Sequence, residues 1–148
     1  MERNCVVVYP DGRYRREKSN QEYGAKLRLQ AFEGSLNSTQ VAELRTLLDA
    51  AELKNMKHET YSKAAVQEAD STLLAVPRQS TVQRLRFAHY FQVRGKRDKP
   101  GGYSGMQYGL DPDEHVLNPV REWLKNNVDK QKVAPLPDSS PTNCDPER

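Results

Sequence analysis

The chain holds no apolar run approaching the roughly 18 to 20 residues of a membrane span, which excludes a membrane-crossing helix. Large hydrophobic side chains are scarce as well. One Trp and three Phe occur in 148 residues, and the hydrophobic fraction is 36%. With mean hydropathy of -0.90, the core has to be small, and part of the chain must lie outside it. Charge of a single sign is also missing: 23 basic and 20 acidic side chains leave +3, which excludes neither a neutral nor an anionic partner. The three histidines, His58, His89 and His115, stand far apart and outside any H-E-x-x-H pair, so a local zinc motif is absent. His89 alternates with Phe87 and Phe91, as a residue at the edge of a core does.

Cysteine is nearly absent. Cys5 and Cys144 sit at opposite ends, with neither C-x-x-C spacing nor a flanking His. Two unrelated thiols are one reading. The other is a disulfide tying the N-terminal segment to the C-terminal tail, which needs an oxidising compartment and in the chain-entropy model contributes about 5 kcal/mol. No charged region followed by an apolar one marks an export signal. Met1 ahead of a polar stretch and then a strand is the look of a mature domain with an added start residue.

Among the residues present, local patterning is legible. Cys5 to Tyr9 is β-rich and leads into Pro10-Asp11-Gly12, a tight reversal. The second arm, Arg13 to Lys18, is polar on both faces and reads as an edge strand, or one over little core. Ala25, Leu27, Leu29 and Ala31 alternate with Lys26, Arg28 and Gln30, the mark of a half-buried antiparallel strand. Asn37 as N-cap, Gln40 as its reciprocal partner and a Leu36–Val41 staple predict a helix start. Val41, Leu44, Leu47, Leu48 and Ala51 continue its apolar stripe through about Leu53. The Asn37-Ser38-Thr39 triplet matches a glycosylation sequon, but capping accounts for it.

Residues 55 to 70 read as a loop. Thr72–Val76 and Thr81–Phe87 form a second hairpin-like pair around Pro77-Arg78-Gln79-Ser80, and Gly95 to Gly109 reads as a long glycine-rich loop. A short turn over Pro112 to Val116 precedes a last helix beginning at Asn118-Pro119, with Val120, Trp123, Leu124 and Val128 as its stripe. The expected fold is α+β: one antiparallel sheet of about five strands with two helices on one face, in the order β-β-β-α-β-β-α. It forms a single domain over residues 1–132, and the proline-rich tail, 133–148, runs extended beyond it.

Enzyme signatures are weak. Gly102-Tyr103-Ser104-Gly105-Met106 lacks the second glycine of a nucleophile elbow and the strand that feeds one. Gly101, Gly102 and Gly105 match no phosphate-binding fingerprint. Glu68 with Asp70, and Asp111 with Asp113, lack the apolar surroundings that would separate their pKa values for acid–base work. No catalytic residue, metal or cofactor is assigned.

Charge distribution is the strongest non-random feature. Residues 71 to 100 carry seven basic groups against one acidic, while 38 to 70 and 101 to 148 are net acidic. If Lys26, Arg28, Arg84 and Arg86 face away from the helices, with Arg13 and Arg15 on a neighbouring strand, the open sheet face is basic, with Phe32 and Tyr90 beside it. Such a face suits an anionic protein or polysaccharide. Through stacking and phosphate neutralisation it also suits nucleic acid, although no RNP-like motif is present. Tyr103 and Tyr108 make the glycine-rich loop a second contact element. An enzyme with its site on that loop is a third possibility.

The order of Val7-Val8-Tyr9-Pro10-Asp11-Gly12-Arg13-Tyr14, Glu33-Gly34-Ser35-Leu36, Leu44 to Leu48 and Asn118-Pro119-Val120-Arg121-Glu122-Trp123-Leu124 resembles small uncharacterised exported bacterial domains, over residues 5 to 132. The resemblance implies a periplasmic or secreted location and a binding or structural role, and it brings no catalytic residues.

Overall fold

The computed structural model describes residues 2–20, 24, 28–57, 71–88, 90–93, 106–109 and 112–137. The fold is α+β with antiparallel sheets, in two compact units: residues 1–49 with 119–148, and residues 50–118. In place of one five-stranded sheet there are, among the described residues, sheets of three, two and two strands.

In the first unit, β1 (Glu2–Val8), β2 (Arg13–Asn20) and β3 (Arg28–Ser35) follow one another in a meander. The reversal after β1 forms because Gly12 takes φ of +88°, a region that L side chains rarely adopt. Its N–H donates to the Tyr9 carbonyl at 3.0 Å, and the Asp11 carboxylate accepts the Arg13 N–H at 3.0 Å. Space is short there too, since a Cβ on Gly12 would lie 2.7 Å from the Leu36 carbonyl oxygen.

β2 is the central strand of this sheet, contrary to the edge position expected from its polar sequence. Both of its faces are covered: Tyr14, Arg15 and Glu17 are buried and Arg16 is half-buried. The polar residues are tolerated because most of their polar atoms are paired, Arg16 Nε being buried without a hydrogen-bond partner. On one face Tyr14 donates to Gln131 Oε1 at 2.9 Å and Arg16 to Asp129 at 2.9 Å, while the Arg16 guanidinium lies 4.6 Å from the Phe32 ring centroid. Gly34, cross-strand from Tyr14, is the only residue type that fits, since a Cβ would collide with the phenol ring. On the other face Arg15 Nε donates to Glu17 at 2.6 Å and its NH1 to Glu33 at 3.2 Å.

α1 (Ser38–Leu48) starts as expected. Asn37 Oδ1 accepts the Gln40 N–H at 2.8 Å, and Gln40 Oε1 accepts the Asn37 N–H at 2.9 Å. The helix ends at Leu48, and α2 (Ala51–Lys54) follows as a separate turn in the second unit. A 3-10 turn over Pro112–Leu117 leads into α3 (Asn118–Leu124), whose last turn widens to π geometry over Lys125–Asp129. Val120, Trp123 and Val128 are buried. Trp123 Nε1 donates to Glu43 at 3.2 Å and Gln40 Nε2 to Asn127 at 2.9 Å, joining α3 and the turn after it to α1. The described start of the tail is extended: Pro135 bridges to Phe32, and the Leu136 N–H donates to the Ala31 carbonyl at 2.7 Å.

In the second unit, β4 (Ser71–Pro77) pairs with β5 (Val82–Ala88) across a turn closed by Arg78 N–H to Thr81 C=O at 2.8 Å. Val76, Leu85 and Phe87 are buried, as is Leu53 of α2. Gln83 is the unit's polar hub. Its amide donates to the Leu53, Lys54 and Met56 carbonyls at 2.8, 3.2 and 3.0 Å, at and just past the C-terminal end of α2. Its Oε1 accepts from Arg78 at 3.0 and 2.6 Å. β6 (Tyr90–Val93) pairs with β7 (Met106–Gly109), so the stretch read as a loop from Gly95 to Gly109 ends in a strand.

Candidate docking surface

The basic side chains expected on one open sheet are divided. Arg13, Arg15 and Arg28 belong to the first unit, and Arg84 and Arg86 to the second. Arg13 is exposed but engaged, its Nε donating to Asp11 at 2.7 Å and its guanidinium 5.5 Å from the Tyr9 ring centroid. Hydrogen bonds from the Arg13 backbone and side chain hold the Asp11 carboxyl below its ordinary pKa, and the same pairing raises that of Arg13. Arg15 is only 5% exposed. Burial pulls its pKa down, but hydrogen bonding and attraction to Glu17 and Glu33 outweigh that effect and leave it raised.

Arg28 is exposed at the end of β3, and strand alternation gives it the face of Phe32. That is the face on which Arg16 meets the terminal helical segment, so Arg28 does not point away from it. Phe32 stacks with Arg16 and offers no platform beside an open basic face. Lys26, Tyr103 and Cys144 lie outside the described residues, as do Ser104, Gly101, Gly102, Gly105, His58, His89, Glu68, Asp70 and Asp111. Tyr108 falls in β7. His115 is exposed, 3.4 Å from Glu52. Among the described residues no group of three His, Cys, Asp or Glu is placed to hold a metal ion, and no helix is long and apolar enough to cross a membrane.

What the structure brings together is the outer face of the β4–β5 hairpin. Alternation sends Gln83, Leu85 and Phe87 to one side and Val82, Arg84 and Arg86 to the other. The register sets Arg86 opposite Leu73, Arg84 opposite Ala75 and Val82 opposite Pro77. All six are exposed. Leu73 and Val82, at 43% and 46%, are the exposed large hydrophobic residues among those described, and both share this face with the two arginines.

The apolar half of the surface was missed from sequence, although a signal existed. Leu73 and Leu74 are consecutive, so in a strand with one buried face one of them must turn to water. No family model, curated protein or solved structure matches the chain.

Proposed function

We propose that the chain is a non-catalytic binding module of an exported bacterial protein and that the outer face of β4–β5 docks an anionic partner, protein or polysaccharide. One observation carries this reading: Arg84 and Arg86 are exposed side by side on a face that they share with the exposed Leu73, Ala75, Pro77 and Val82. Desolvated guanidinium groups beside apolar area are a common basis of affinity at interfaces. A nucleic-acid platform would need aromatic rings beside the arginines, and the six exposed residues described on this face include none.

Export is supported by the state of Cys5. It is half-buried on β1 and no cysteine among the described residues is a free thiol. Cys144 is the sole other cysteine of the chain, and a Cys5–Cys144 disulfide is part of this proposal. Cys5 pairs across the sheet with Glu17, Glu17 with Ala31, and the Ala31 carbonyl accepts from Leu136 of the tail. The row from tail to β1 is three strand spacings, about 14 Å, and eight extended residues reach about 26 Å. Intact mass after alkylation without reductant is expected to show no modified thiol in protein isolated from its native compartment. Two modified thiols there would remove the bridge.

For the docking surface the test is fluorescence anisotropy at low ionic strength with labelled poly-L-glutamate and, separately, heparin. Wild-type protein is expected to bind at least one of them, with affinity falling as salt rises. Arg84→Glu with Arg86→Glu should abolish binding, with circular dichroism of the variant showing that the fold is retained. Absence of binding to both probes, or full binding by the double variant, would overturn the proposal.

A further inference from the structure

Resting on the Cys5–Cys144 bridge proposed above, we infer that this bridge is a redox catch: closed, it keeps residues 133–137 of the tail against β3, and its reduction by a dithiol releases them and uncovers the outer edge of that strand. The tail leaves the terminal helical segment at a fixed point. Gln131 Oε1 accepts from the Tyr14 hydroxyl at 2.9 Å, and its amide donates to the Asn127 and Ser35 carbonyls at 2.9 and 3.3 Å. Beyond Gln131 the hold is slight. One main-chain hydrogen bond, Leu136 N–H to the Ala31 carbonyl at 2.7 Å, accompanies the Phe32–Pro135 bridge. Pro135 and Pro137 have no N–H to add another. Val133 and Leu136 are half-buried, and Lys132, Ala134, Pro135 and Pro137 are exposed.

A single hydrogen bond and two half-buried aliphatic side chains offset only part of the backbone entropy lost when this segment is held extended. A chain end so placed frays unless it is tied down. Leu136 and Cys144 are eight residues apart, and Cys5 heads the cross-strand row Cys5, Glu17, Ala31, whose last member receives the Leu136 N–H. The bridge thus pins the tail beyond Leu136 to the opposite end of the row on which Leu136 docks, which restricts the undocked tail and favours the docked arrangement. Cys5 is half-buried rather than enclosed, so an attacking thiolate has access. Its attack leaves a mixed disulfide and expels one cysteine as a thiolate; the second sulfur of the dithiol then closes a ring and expels the other. The dithiol gives up two electrons and two protons and becomes a cyclic disulfide, while Cys5 and Cys144 become thiols. Once the tail is released, the outward main-chain groups around Ala31 form an open sheet edge, the kind that pairs with a further strand.

The experiment follows amide hydrogen exchange by NMR in the full isotope-labelled chain, first bridged and then with excess dithiothreitol. Reduction is expected to speed exchange at Leu136 about tenfold or more, while the amides of Tyr9 and Val41, which bond within the β1–β2 reversal and the first turn of α1, stay within about twofold. Cys5→Ser with Cys144→Ser should exchange at Leu136 as the reduced protein does and should not respond to dithiothreitol. Reoxidation of the wild type should restore protection. An unchanged Leu136 rate in protein whose alkylated thiols have risen from none to two would overturn the catch and leave the bridge standing. Acceleration at Tyr9 and Val41 equal to that at Leu136 would also overturn it, because the bridge would then hold the whole unit rather than the tail. Two alkylated thiols before any reductant is added would instead overturn the bridge itself.

Discussion

Replacing Glu17 by Ala removes the buried carboxylate that pairs with the Arg15 guanidinium, and the cost follows from the geometry. Both side chains of the pair are 5% exposed and 2.6 Å apart, whereas the Glu33 carboxylate, which also accepts from Arg15, is 55% exposed at 3.2 Å. Breaking a buried pair by removing one partner costs about 3–5 kcal/mol, because the remaining charge stays desolvated. Glu33 can rotate toward Arg15 and recover part of this, so the expected loss for Glu17→Ala is about 2–4 kcal/mol. Against a typical domain stability of roughly 5–15 kcal/mol that is a large fraction. Arg15→Met with Glu17→Leu removes both charges and fills similar volume, and it should cost less than about 1 kcal/mol. Urea denaturation followed by tryptophan fluorescence is the assay. Trp123 is the sole tryptophan and lies in the first unit, so its signal reports the unfolding of the unit that holds the pair. A Glu17→Ala loss below about 1 kcal/mol, or a double variant less stable than the single, would refute the reasoning.

Two further predictions concern other buried polar contacts. Burial pushes the Tyr14 phenol above its ordinary pKa of 10.0, with Arg16 opposing and Asp129 reinforcing the shift. The stability from burying the neutral phenol is therefore present below pH 10 and declines as pH rises through the folded-state value. Tyr14→Phe should cost about 1 kcal/mol at pH 7 through loss of the bond to Gln131. That gap from wild type should narrow above pH 10, and a widening gap would contradict the account. In the second unit, Gln83→Ala strips the carbonyls of Leu53, Lys54 and Met56 of their amide donor. It should cost about 1–3 kcal/mol and speed amide hydrogen exchange at Lys54 and Asn55, whose N–H groups bond within α2. Unchanged exchange at those two amides would show that Gln83 does not hold the turn.

Elements governed by neighbours in sequence were legible. The Asn37–Gln40 capping box, the Gly12 reversal and the proline-led start of α3 are each decided within a few residues, and each formed as read. Partner choice between strands was not legible, because it depends on tertiary pairing. Arg13-Tyr14-Arg15-Arg16-Glu17 reads as solvated, yet it is central: Arg15 meets Glu17 two residues along the same strand, and the register adds Glu33 while the chain far downstream supplies Gln131 and Asp129. The same limit hid the division into separate sheets. On the candidate surface, Arg84 and Arg86 were identified from the local excess of positive charge, whereas Leu73 and Val82 emerged only once β4 and β5 were in register.

The central claim is that binding occurs on the outer face of β4–β5, and the most direct measurement is a two-dimensional NMR titration of isotope-labelled protein with poly-L-glutamate. Amide shifts are expected to move at Leu73, Ala75, Val82, Arg84 and Arg86 and to stay fixed at Arg13 to Lys18. Shifts centred on Arg13 and Arg28, or on Tyr103 and Tyr108, or the absence of any saturable shift, would contradict it.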